Sequence, residues 1–186
     1  MADEVGAPFG HDMEARLKGV DRMGSLEIIL EGARKAYSQA EKEDMAARKN
    51  GYYLDAVAGV DASGALPGAF DALEAVKKAG LKIALASASR NAPQLVEAIG
   101  ILPYLDAIAN PADVKAGKPA PDIFLLAAQL VGAEPEACLG VEDAAAGVAA
   151  IKAAGMQAVG VGDASEIGAA DFIIADMTAF RLADYL

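Results

Sequence analysis

The chain has 186 residues, 54% of them hydrophobic, and a net charge of −11. That length allows one compact domain with a real core, or a core plus a small accessory domain. The acidic balance argues against nucleic acid and anionic membrane surfaces as partners, which are bound by excess Lys and Arg, but leaves room for a small phosphorylated ligand in a locally basic pocket.

From Asp12 to about Val60 the pattern is helical and charged, with Leu17, Val20, Leu26, Ile29 and Leu30 recurring at helical spacing. Ser38-Gln39-Ala40-Glu41 reads as a capping box opening a long helix toward Val57. The turn-rich stretch Gly59–Gly68 marks a junction between two domains. Beyond it the texture alternates. Helix is expected at Ala69–Ala79, Pro93–Ile99, Pro121–Val131 and Ala144–Ala154, each closed by a glycine. Strands are expected at Lys82–Ala86, Leu105–Ala109, Ala137–Val141, Gln157–Val161 and Phe172–Ile174, with a closing helix at Ala179–Leu186. Strand and helix in alternation with short loops predict a parallel sheet with helices on its faces, an α/β fold.

The lone cysteine, Cys138, excludes an intrachain disulfide and suits a reducing compartment; in its apolar run it reads as a buried, inert thiol. One histidine, His11, cannot make a His-rich metal site. No signal peptide and no membrane-spanning apolar run is visible, so the expected localisation is cytoplasmic.

In open parallel sheets, ligands sit beyond the carboxyl ends of the strands. Three strand ends or sheet-edge loops carry suitable residues. Ser87-Ala88-Ser89-Arg90-Asn91 offers two hydroxyls, a cation and an amide before a helix, where a phosphate could be held. Lys118 lies in a loop stiffened by Pro119 and Pro121. Glu142 and Asp143 end a strand with two adjacent carboxylates, which suits Mg²⁺. Each also has a plain local reading: Ser89, Asn91 or Asp143 as a helix cap, Lys118 as a solvated loop cation. Their order along the chain gathers all three at one rim, which is the equipment for phosphoryl transfer.

These residues resemble motifs two, three and four of the haloacid dehalogenase superfamily. The strings Ile83–Asn91 (IALASASRN), Lys118–Phe124 (KPAPDIF) and Gly140–Gly155 (GVEDAAAGVAAIKAAG) resemble its β-phosphoglucomutase-type members in particular. The resemblance implies a Rossmann-like core over 66–186 and a helical cap domain over 1–65. It implies Mg²⁺-dependent interconversion of β-glucose 1-phosphate and glucose 6-phosphate through an aspartyl-phosphate. Ser87, the Ala88 backbone and Lys118 would hold the transferred phosphoryl group, and Glu142 and Asp143 would hold Mg²⁺. Ser89, Arg90 and Asn91, with Arg22 from the cap-like string Leu17–Leu30, would contact a second phosphate, and Lys49 would face the sugar. A solvated helix face is the alternative for Arg22 and Lys49.

Two departures matter. Ala144 follows Asp143 where relatives often carry Ser. More serious, no Asp-x-Asp occurs in the sequence, although the family's nucleophile and acid/base lie in that motif, at the end of its first, central strand. The expectation is a chain that starts inside the first cap helix, lacks that strand and is inactive alone. A sugar-phosphate phosphatase and a non-catalytic phosphate- or Mg²⁺-binding fragment are the alternatives. The family implies a monomer; two strands without their partner leave self-association open.

Overall fold

The computed structural model describes residues 1–186, apart from the side chain of Ala15. The chain divides into two compact units, Met1–Gly59 and Val60–Leu186.

The first unit is helical: α1 (Ala2–Val5), α2 (His11–Leu17), α3 (Arg22–Leu30) and α4 (Gln39–Val57). Asp21 starts α3 by accepting hydrogen bonds from the N–H groups of Met23 and Gly24. The capping box forms as read, with Ser38 and Glu41 exchanging side-chain and backbone bonds at the start of α4. Leu26 and Ile29 of α3, Met45 and Ala46 of α4, and Val5 of α1 form the unit's core. Lys42 reaches back from α4 to Glu27 on α3, at 2.8 Å.

The second unit is α/β. Its elements are α5 (Ala69–Lys78), β1 (Ala84–Ala86), α6 (Ala92–Ala98), β2 (Ala107–Ala109), α7 (Asp122–Val131), β3 (Leu139–Glu142), α8 (Ala145–Ala153), β4 (Gln157–Val161), α9 (Ala164–Ile167) and β5 (Phe172–Ile174). All strand pairs are parallel, as the alternating texture predicts. They form two sheets, β1-β2 and β3-β4-β5, and no ladder joins β1 to β3 among the described residues. The two sheets nevertheless share one core. Helix α7 packs on β1 and β2, α8 packs on β3 and β4, and Ile123, Phe124, Val148 and Ile151 interlock between them. Gly140 on β3 leaves room for Ile151: a Cβ there would stand 2.6 Å from its side-chain carbons.

Three expectations need correction. β1 and β2 are shorter than read, because the Asp106 carboxylate takes the Ile83 N–H at 2.9 Å and pairs with Lys82 at 3.0 Å, so the chain before β1 is anchored by a side chain. The helix α9 is new; Asp163 caps it, and its Ile167 is 2% exposed. The C-terminus forms no closing helix but two short 3-10 turns, Met177–Ala179 and Leu182–Asp184. There the Tyr185 ring meets Phe172 edge-on at 5.0 Å and lies 5.1 Å from Phe180, and Arg181 donates to the carbonyls of Thr178 and Phe180. These contacts hold the backbone out of a helical path. No helix is long and apolar enough to cross a membrane among the described residues.

Asp171 ties β5 to β4 and α8. Its carboxylate accepts from Lys152 Nζ at 2.5 and 2.7 Å and from the Ala158 N–H at 2.8 Å. The Lys152 bond first, and the Ala158 bond second, hold its pKa below the ordinary 3.8. A depressed carboxyl contributes stability above its unfolded pKa and loses it as pH falls through the folded value. Asp171→Asn should therefore melt lower than the parent at neutral pH, and should lose less melting temperature than the parent on acidification below 3.8. Thermal melts across that range check both.

Candidate active site

Within each sheet the parallel strands end on a common edge, so the residues after β1 and β2 face one rim, as do those after β3 and β4. A side-chain bond ties the two rims together. Lys118, in the loop after β2, donates from Nζ to Glu142 Oε2, at the end of β3, at 2.6 Å. Both side chains are buried, 6% and 9% exposed. The Lys118 ammonium also lies 4.9 Å from the centre of the Phe124 ring on α7, a cation–π contact. The other carboxylate oxygen, Glu142 Oε1, accepts from the Asp143 N–H at 3.2 Å.

Burial pushes the Glu142 carboxyl above its ordinary 4.5, against the opposing pull of the Lys118 charge and hydrogen bond. Asp143 is exposed. It does not cap α8, whose N-cap is Ala144 and makes no side-chain cap bond. The plain reading of Asp143 as a helix cap therefore fails. Among the described residues no three His, Cys, Asp or Glu side chains gather to hold a metal. Two neighbouring carboxylates remain, and that set fits Mg²⁺, which takes one or two carboxylates and completes its shell with water and phosphate.

Ser87 follows β1 on the adjoining edge. Its Oγ accepts from the Ser89 N–H at 3.1 Å, and Ser89 Oγ accepts from the Asn91 N–H at 3.2 Å. Two successive hydroxyl turns thus lead from β1 into α6, with Asn91 at the N-cap position. Ser87 and Ala88 are half-buried, while Ser89 and Arg90 are exposed. In the first unit Arg22 opens α3, and its Nη2 donates to Asn50 Oδ1 on α4 at 2.7 Å; Lys49 precedes Asn50 in the same helix. The structure thus joins Lys118 to Glu142, with the Asp143 N–H on the other Glu142 oxygen, places Ser87 at the end of β1, which pairs with β2, and joins Arg22 to Asn50 beside Lys49. Sequence reading missed Asn50, whose role as partner of Arg22 depends on how α3 packs on α4.

Residues 3–155 match the haloacid dehalogenase-like hydrolase family. The chain is 42% identical over 176 residues to a beta-phosphoglucomutase of Bacillus subtilis, covering 94% of this chain and 78% of that protein. It is 29% identical to a phosphorylated carbohydrates phosphatase of Thermotoga maritima, covering 86% and 72%. The crystal structure of a beta-phosphoglucomutase from Clostridium difficile superposes with a TM-score of 0.94 at 36% identity, over 98% of this chain and 83% of that one.

The buried pair generates a stability prediction. Lys118→Met strands the Glu142 carboxylate and should cost about 3 kcal/mol, the lower end for breaking a buried ion pair. Lys118→Met with Glu142→Leu removes both charges and should recover most of that loss. Urea denaturation followed by circular dichroism measures both.

Proposed function

We infer the function from the family, because the chain belongs to the haloacid dehalogenase-like hydrolases and a buried ammonium–carboxylate pair stands beside Asp143 at its strand ends. The observation that carries the reading is the Lys118 ammonium, held at the strand ends by Glu142 beside the exposed Asp143 carboxylate. A fixed cation next to two carboxylates supports phosphoryl transfer, where positioning and charge neutralisation dominate.

We propose a sugar phosphate as substrate, and mutase chemistry between β-glucose 1-phosphate and glucose 6-phosphate as the activity of the assembled site. Lys118 Nζ, Ser87 Oγ and the Ala88 N–H hold the transferred phosphoryl group. Glu142 and Asp143 hold Mg²⁺, which when bound offsets the negative charge of the phosphate oxygens. Ser89, Arg90 and Asn91 meet the second phosphate, and Arg22 and Lys49 are the phosphate- and sugar-binding candidates of the helical unit. A phosphatase acting on small sugar phosphates is the second reading, supported by the likeness to the Thermotoga phosphatase.

The 186 residues contain no Asp-x-Asp, and no other side chain replaces its first carboxylate as nucleophile. The Cys138 thiol contacts the Glu134 carbonyl at 3.3 Å, and burial, first, with the Glu134 and Glu136 charges pushes its pKa up, away from the reactive thiolate. The Ser87 Oγ accepts from the Ser89 N–H, and the single histidine of the sequence, His11, lies on α2 of the helical unit. The expected behaviour is binding without turnover. Purified protein should show no conversion of β-glucose 1-phosphate with Mg²⁺ and a sugar bisphosphate. A version extended at its N-terminus by a strand ending in Asp-x-Asp-Gly should convert it, and Asp143→Ala should abolish that conversion. Robust turnover by the 186-residue form would show that the nucleophile is misassigned; hydrolysis without isomerisation by the extended form would favour the phosphatase.

A further inference from the structure

We propose that Gly147 is a positioning residue for the Glu142 carboxylate, acting through the slot that its missing side chain leaves in the first turn of α8. The proposal rests on Glu142 belonging to the phosphoryl-transfer site inferred above.

Gly147 lies in a helix otherwise rich in alanine, and glycine in a helix interior weakens it relative to alanine. Its φ is not in the left-handed region, so backbone freedom does not account for it. Space does. Gly147 is buried, and a Cβ built on it would collide with Cγ, Cδ and Oε2 of Glu142. The side chain of Glu142 therefore folds back against the bare backbone of α8. From that slot Oε2 reaches Lys118 and Oε1 reaches the Asp143 N–H. The N-terminal end of a helix also favours a carboxylate electrostatically.

The glycines nearby make room for a different kind of group. Gly140 accommodates Ile151 and Gly160 accommodates Ile167, both apolar core side chains. At Gly147 the accommodated group is an ionisable side chain at the candidate site. A methyl at 147 meets the end of a flexible side chain rather than fixed backbone, so the strain is relieved by expelling Glu142. Expulsion would cost the carboxylate its bonds to Lys118 and to the Asp143 N–H together. Gly147 thus sets where the carboxylate stands without touching substrate or metal itself.

The test is Gly147→Ala in two backgrounds, with three readouts. In the parent it should lower the melting temperature, raise the Mg²⁺ dissociation constant roughly tenfold, as supporting residues around metal ligands typically do, and move the Asp143 amide resonance, which reports its bond to Glu142. In a Lys118→Met/Glu142→Ala background, with the carboxylate and the lone charge both gone, Gly147→Ala should raise the melting temperature. That reversal of sign is what a packing role for Gly147 elsewhere in α8 would not produce. A rise in both backgrounds, or an equal fall in both, overturns the proposal. If the parent binds neither Mg²⁺ nor inorganic phosphate, the functional reading fails separately, and the sign reversal and the amide shift still decide whether Gly147 seats Glu142. If Gly147→Ala does not fold in the parent background, the comparison in the charge-free background decides: a fall there overturns the proposal, a rise upholds it.

Discussion

Much of the site depends on one buried contact, the Lys118–Glu142 ion pair at 2.6 Å. Removing two charges from water costs several kcal/mol each, and only close geometry with further hydrogen bonds offsets that cost. Here the offsets are identifiable. The carboxylate has the ammonium on one oxygen and the Asp143 N–H on the other, and the ammonium also faces the Phe124 ring. The contact joins a loop of one sheet to a strand end of the other, which no backbone ladder does. It therefore fixes the place of the candidate site at the same time as it links the two sheets.

Apolar packing is the other link. Helices α7 and α8 each lie on a different sheet, and their side chains meet in a single core. Gly140 and Gly160 let Ile151 and Ile167 approach the strands closely, so the β3-β4-β5 sheet is held from its face as well as through its ladders. The edges of β1 and β3 that carry no ladder partner leave backbone donors and acceptors to be satisfied by solvent or by an added strand.

The parts legible in the sequence were those with local causes. The capping box at Ser38–Glu41 is written in four consecutive residues, and β4 and β5 are short apolar runs bounded by turn residues. Lys118, Glu142 and Asp143 stand at or near strand ends, which parallel topology gathers, and that is why they can be picked out from the sequence. What stayed hidden needed tertiary contacts. Lys118 and Glu142 are 24 residues apart, and nothing local says that they pair and bury each other. The helical reading of Ala179–Leu186 ignored the aromatic contacts of Phe180 and Tyr185, which override local propensity. Helix α9 is one turn long, too short to display a period. Gly147 carried a readable signal, a glycine inside an alanine-rich helix, but its meaning depended on where Glu142 points.

The measurement that tests the account most directly is calorimetric titration of the protein with inorganic phosphate, with and without Mg²⁺, for the parent and for Lys118→Met. The account predicts that the parent binds phosphate, that Mg²⁺ tightens this binding and is tightened by it in equal measure, and that Lys118→Met loses it while remaining folded. Phosphate binding that is the same in Lys118→Met as in the parent, or that is indifferent to Mg²⁺, would contradict it.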